Sequence, residues 1–248
     1  MNSNLLSNIK IILVEPLGDI NVGSIARIMK NMGLNQLILV NPRCDRSSEI
    51  ARKMAVHAVD VLEKAVIVDN LKDALAGCTR AIATTVRSRS VPIKLESPST
   101  VIPWLLTPNV QSALLFGAED RGLSNEELKY AQRFVCIQSH PIYPSLNLAQ
   151  AVAICAYELY QASLATNDHS PVEVVSSPQT TTNAPIEVLE NYYQDLEAML
   201  LEIGFLQSHT ASVKMEKFRR LYNKANLEPE EVAMLRGILR QIRWAIKN

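Results

Sequence analysis

The strongest constraint on this chain is an alternation. Through residues 1–164, short apolar runs suited to buried strands trade places with segments whose apolar residues recur every three or four positions. The runs are 9–14, 36–40, 66–68, 81–85, 113–116 and 134–137. Between the first two, 21–33 sets Val22, Ile25, Ala26, Met29 and Met32 on one face and Ser24, Arg27 and Asn31 on another, the pattern of a helix packed one-sidedly on a sheet. Segments 49–62, 71–76, 124–131 and 146–164 carry the same helical period. Strand and helix alternating through short connections predict an α/β fold, a parallel sheet covered by helices on both faces.

Beyond residue 164 the alternation stops. The stretch 165–185 has seven Ser/Thr, three Pro and no aromatic residue; it cannot bury enough surface to fold and reads as a flexible linker. Segments 186–203, 213–223 and 229–246 then form three helical patterns, the last opened by Pro229 with acids in its first turn. The expected organisation is an α/β domain over 1–164, a linker over 165–185 and a small helical domain over 186–248. Net charge is zero, yet residues 210–248 hold nine Lys/Arg against four Glu, an excess of five. That excess fits either a surface for nucleic-acid phosphates or a solvated helix face. The four cysteines are scattered, so neither a zinc ribbon nor a disulfide framework is readable, and a reducing cytoplasm with no structural metal is expected. No stretch approaches the roughly 18 apolar residues of a membrane span.

In a parallel sheet, ligands gather at the carboxyl ends of the strands. Three segments leave such ends with chemically loaded residues. After the first strand comes Glu15-Pro-Leu-Gly-Asp-Ile-Asn-Val-Gly-Ser-Ile-Ala-Arg27, with Asn21 and Gly23 at the helix start and Arg27 one turn in. After the fifth comes Phe116-Gly-Ala-Glu-Asp-Arg-Gly-Leu-Ser124, whose Ser124 is boxed by Glu127 as a helix cap and whose Glu119 reads as closing the turn. After the last comes Pro141-Ile-Tyr-Pro-Ser-Leu-Asn-Leu-Ala149, where Ser145 is expected to cap a long apolar helix. The eight glycines form neither GxGxxG nor a phosphate loop, which disfavours nicotinamide and nucleotide-triphosphate chemistry. The four histidines show no triad or metal spacing, and His140 alone lies beside one of these segments.

Together the three segments, with Thr84-Thr-Val-Arg-Ser-Arg89 after the fourth strand, resemble the three motifs of the SPOUT superfamily of RNA methyltransferases, in its TrmH-like 2′-O-ribose branch. The resemblance spans nearly the whole chain. It implies that the C-terminal part of the parallel sheet is tied in a trefoil knot, an exception to the rule that chains avoid knots. It implies S-adenosyl-L-methionine as cofactor, bound by Thr84, Thr85, Val86, Gly117, Ile137, Pro144, Ser145 and Leu146. It further implies tRNA as substrate, methylated on the ribose 2′-oxygen of cytidine or uridine at anticodon-loop position 32, and a cytoplasmic homodimer with its site near the subunit interface. Arg27, Ser145 and Asn147 match the family's catalytic positions; Asn21, Arg27, Arg87, Arg89, Lys214, Lys217, Arg219 and Arg220 are the RNA-binding candidates.

A guanidinium stays protonated in proteins, so Arg27 reads as a clamp on phosphate and 2′-oxygen that stabilises developing alkoxide, the proton leaving to phosphate or water. Ala118 stands where some relatives carry a basic residue, and Pro144 where a small polar one occurs. Two rival functions are a 2′-O-methyltransferase acting elsewhere on tRNA or on ribosomal RNA, and a catalytically silent RNA-binding protein of the same fold.

Overall fold

The computed structural model describes residues 5–86, 94–168 and 183–247. Among them, tertiary contacts divide the chain into two compact units, one of residues 5–75, 80–86 and 94–168 and one of 76–79 and 183–247.

The first unit is built on a seven-stranded sheet: β1 (Ile9–Val14), β2 (Gln36–Val40), β3 (Val66–Val68), β4 (Arg80–Thr84), β5 (Leu95–Glu96), β6 (Ser112–Phe116) and β7 (Arg133–Val135). Its order is β3-β2-β1-β6-β4-β7-β5, and every pairing is parallel. Around it lie α1 (Asp19–Asn31), α2 (Glu49–Ala55), α3 (Val59–Lys64), α4 (Leu71–Ala74), α5 (Pro98–Val101), α6 (Asn125–Leu128) and α7 (Leu148–Asp168). Central strands are apolar on both faces: β6 is buried at all five positions and Ile9, Ile11, Ile12 and Leu13 of β1 are fully buried. That is why they read as continuous apolar runs rather than as alternation.

Several features depart from the sequence reading, among them α5, which no periodic pattern announces, and α6, shorter than the 124–131 expected. The two-residue β5 was missed, since Leu95-Glu96 offers no apolar run and pairs only with β7. The helix expected over 49–62 is broken at Val56, whose φ of 53° ends α2 and starts a 3-10 turn before α3. The helix expected over 146–164 runs from Leu148 to Asp168, so residues 165–168, read as linker, are helical. The rest of that stretch falls outside the described residues as far as 182.

The second unit contains α8 (Ile186–Glu202), α9 (Ala211–Ala225) and α10 (Pro229–Lys247). Leu189, Tyr192, Leu196 and Met199 of α8 meet Met215 of α9 and Val232 and Leu239 of α10 in one core. Tyr192 packs edge-on against Tyr222, with ring centroids 5.3 Å apart.

Candidate active site at the carboxyl ends of the strands

Strands β1, β6, β4 and β7 are neighbours in the sheet and run parallel, so the segments that follow them emerge along one edge. The turn after β6 folds tightly on itself: Gly122 N donates to Ala118 O at 2.8 Å, and a Cβ on Gly117 would lie 2.1 Å from the Gly122 carbonyl carbon. Only glycine fits at 117. This fold carries Glu119 across to the β1 segment. Its carboxylate accepts from the Leu17 amide (2.9 Å), the Gly18 amide (3.3 Å) and Asn21 Nδ2 (2.8 Å). Glu119 therefore does not close its own turn, as the sequence suggested; it grips the entry to α1.

Asn21 passes the connection on, its Oδ1 accepting from Asn147 Nδ2 at 3.0 Å. Asn147 is in turn the cap of α7. Its Oδ1 accepts from the amides of Ala149 (2.9 Å) and Gln150 (3.4 Å), and its own amide donates to Gln150 Oε1 at 3.2 Å. This reciprocal box replaces the cap expected of Ser145, which lies exposed two residues earlier. Ser145 is thereby released from a structural duty. One chain, Glu119–Asn21–Asn147, thus ties the segment after β1 to two others whose linking residues lie 98 and 126 positions further along the sequence.

Arg27 is exposed on α1, two turns after Asn21 along the same helix, and has no hydrogen bond or ion pair to any described residue. Behind it, Gly23 lets α1 approach α2, since a Cβ there would sit 2.3 Å from Ala51 O. A second cluster braces the site. Arg121 holds Glu127 through two bonds of 2.9 and 2.8 Å and approaches Glu15 at 3.3 Å, while Arg43 meets Glu15 at 2.7 Å. Burial pushes the Glu127 carboxyl up, but Arg121 and the Ser124 amide outweigh it and hold the group below its ordinary value. Glu15 follows β1 with φ 48°, in the left-handed region, and meets these partners from there. Sequence reading gave no role to Glu15, Arg43 or Arg121; their separation in the chain offers no local signal.

The expected cofactor residues exit three adjacent strands. Thr84 Oγ1 donates to Leu115 O at 3.0 Å and the Thr85 amide to Val135 O at 3.0 Å, so the end of β4 is held between its neighbours while Val86 is exposed. Ile137 and Leu146 are half-buried; Pro144 and Ser145 are exposed, and Ser139 Oγ bonds Pro144 O at 2.7 Å to shape their loop. Burial of Cys44 beside Asp19, under the same edge, pushes its thiol up to about 11 and keeps it neutral.

Arg87 and Arg89 lie outside the described residues. On α9, Lys217 is exposed and Lys214 lies 5.5 Å over the Phe205 ring. Arg219 corrects the expectation of a phosphate contact. It forms a bidentate ion pair with Glu190, 7% exposed, and its guanidinium lies 4.5 Å over Tyr193. Charge counting grouped it with its neighbours; the acid that neutralises it sits on another helix.

The combination of a parallel sheet with this edge defines a class. Residues 8–157 match the SpoU rRNA Methylase family, and the chain belongs to it; the protein is a methyltransferase. Residues 187–248 match a family described as tRNA methyltransferase TrmJ, C-terminal domain. Among curated relatives, the chain is similar to tRNA (cytidine/uridine-2′-O-)-methyltransferase TrmJ of Citrobacter koseri, 41% identical over 243 residues, 96% of this chain and 97% of the relative. The TrmJ of Escherichia coli strain K12 is 42% identical over 240 residues, 96% of each. The crystal structure of TrmJ from Z. mobilis ZM4 superposes with a TM-score of 0.80 at 31% identity, covering 94% of this chain and 98% of that one.

Proposed function

We propose that this protein transfers a methyl group from S-adenosyl-L-methionine to the ribose 2′-oxygen of cytidine or uridine at position 32 of the tRNA anticodon loop. The observation that carries the reading is the convergence of Glu119, Asn21 and Asn147, which gathers three strand-end segments around one place with Arg27 left unengaged on its helix. The TrmJ relatives, similar over 96% of the chain, supply the substrate class.

The residues present suit the cofactor. Thr84, Thr85, Val86, Gly117, Ile137, Pro144, Ser145 and Leu146 leave adjacent strands with backbone amides and carbonyls beside half-buried apolar walls, as an adenine edge and a methionyl chain require. When bound, the sulfonium supplies an electrophilic methyl group. The chain's own part is to hold the oxygen in line and shield the charge it gains. Arg27 donates to the phosphate and 2′-oxygen, and Ser145, free of capping, together with Asn147 orients the nucleotide. Asn21, Arg87, Arg89, Lys214, Lys217 and Arg220 complete the RNA contacts.

The sheet order supports a knotted path, because β6 enters between β1 and β4, and β7 between β4 and β5, so each takes a position between strands laid down earlier. Exposed Ile154 and Tyr157 on α7 support a homodimer, and a tRNA substrate fits a cytoplasmic location. Residues 1–164 are the catalytic domain, extended by α7 to Asp168, and 186–248 the tRNA-binding domain. No described helix is long and apolar enough to cross a membrane.

A second site, position 34, is favoured by one neighbour, a structure described as giving insights into 2-OH methylation of C/U34 on tRNA, with 26% identity and a TM-score of 0.51 over 63% of this chain. The test is mass spectrometry of nuclease-generated anticodon-loop fragments of tRNA incubated with the protein and S-adenosylmethionine, which locates the methyl group by position. Methylation at 32 is expected. Methylation confined to 34, or none, overturns the assignment.

A further inference from the structure

The Arg219–Glu190 pair removes one cation from the α9 face, and the arginines of α10 stand elsewhere. Arg236, Arg240 and Arg243 recur at i, i+4 and i+7 and so share one face of that helix. With Asp195, Ala233, Gly237 and Leu239 they line an open cleft of about 570 Å³. Arg236 meets Asp195 at 2.9 Å and Arg243 meets Glu202 at 3.5 Å, in each case with both side chains more than a third exposed. Such exposed pairs are weak and readily exchanged for a stronger anion. Arg240 is exposed and has no ion pair or hydrogen bond to any described residue. One residue past Arg243, Trp244 is 61% exposed.

Gly237 adds an independent observation. Glycine in the interior of a helix lowers its stability. Here nothing within the unit demands it: a Cβ at 237 would meet no atom within 4 Å. The missing side chain leaves the helix backbone bare on the wall of an arginine-lined cleft, which is what close approach of an external backbone needs.

We infer that the cleft between α8 and α10 is a docking track for the sugar–phosphate backbone of tRNA, with Arg236, Arg240 and Arg243 on the phosphates, Gly237 giving clearance and the exposed ring of Trp244 beside them as a face for a base. Arginine is the suited cation, since its planar fork matches phosphate oxygens. An exposed tryptophan beside it fits a nucleic acid better than an acidic peptide, because every base presents a face for stacking. This rests on tRNA being the substrate.

The experiment compares the full-length protein with Arg240→Ala, Arg240→Glu and Gly237→Leu, measuring tRNA affinity over a salt series, methyl transfer and thermal stability. Each phosphate contact adds about 0.7–0.9 to the slope of log affinity against log salt, so its loss at 0.1 M salt weakens binding roughly five- to eightfold. Arg240→Ala is expected to show that loss and that flatter slope, with KM for tRNA raised and kcat retained; Arg240→Glu loses more. Gly237→Leu is the discriminating variant. It improves helix propensity, so Tm is expected to equal or exceed the parent's while tRNA affinity falls several-fold. Unchanged tRNA affinity and slope in the Arg240 variants and Gly237→Leu, in a parent that binds and methylates tRNA, overturns the track alone. A parent that methylates ribosomal RNA but binds no tRNA overturns both the track and the substrate reading.

Discussion

Arg27 and Arg219 set the two units of the molecule against each other. Both are arginines on amphipathic helices, yet Arg27 is exposed with no partner among the described residues, whereas Arg219 is sealed against Glu190 and Tyr193. In the first unit the Glu119–Asn21–Asn147 chain joins the strand-end segments without drawing on Arg27, while Arg121 and Arg133 are the cations that carboxylates engage for structure. The second unit, with a smaller core, draws an arginine into its own packing. Side-chain type alone does not separate function from structure here; the location of the neutralising acid does.

Replacing each arginine tests this contrast most severely. Arg27→Ala should lower kcat at least 100-fold, the scale of removing one stabilising donor from a developing oxyanion, with no change in Tm and with S-adenosylmethionine binding retained by calorimetry. Turnover at the parent rate would defeat the role given to Arg27. Arg219→Ala should do the reverse, costing about 3 kcal/mol of stability by leaving Glu190 buried without its partner, visible as a lower denaturation midpoint of the second unit. A midpoint equal to the parent's would place Arg219 back among the surface cations.

A smaller effect is expected of Glu119→Gln. The amide retains one acceptor but sets an NH2 group against donors at Leu17, Gly18 or Asn21, a loss of about 1–3 kcal/mol shared between stability and alignment. Methyl transfer should fall roughly tenfold with RNA affinity little altered, and equal rates would show that the network is incidental. The smallest effect concerns Glu127. Its carboxyl titrates lower in the folded protein than in the unfolded chain, where it lies near 4.5. Its contribution is therefore complete above that pH and disappears as pH falls through the folded value. Arg121→Met should flatten the acid limb of Tm against pH below the ordinary glutamate value, while an unchanged limb would show that the pair contributes nothing.

The sheet was legible because its central strands are apolar on both faces, and β1, β2 and β3 fall on the residues expected. The two-residue β5 escaped because its position depends on pairing with β7 and not on its own composition. Within the site, the segments were legible as chemistry at strand ends, but the partners inside them were not. Glu119 reaches back about a hundred residues, and Asn147 took the cap expected of Ser145 because its side chain is placed to serve both the helix amides and Asn21. Arg219 failed for the same reason: Glu190 lies 29 positions away, beyond any local pattern.

The double duty of Asn147 ties a local event to a global one. Fraying of the first turn of α7 frees the side chain that also donates to Asn21, which would loosen the junction of the strand-end segments while the sheet beneath stays folded. Warming should then switch the enzyme off several degrees below the temperature at which the polypeptide melts, and an organism could tune its working range by altering a single helix end.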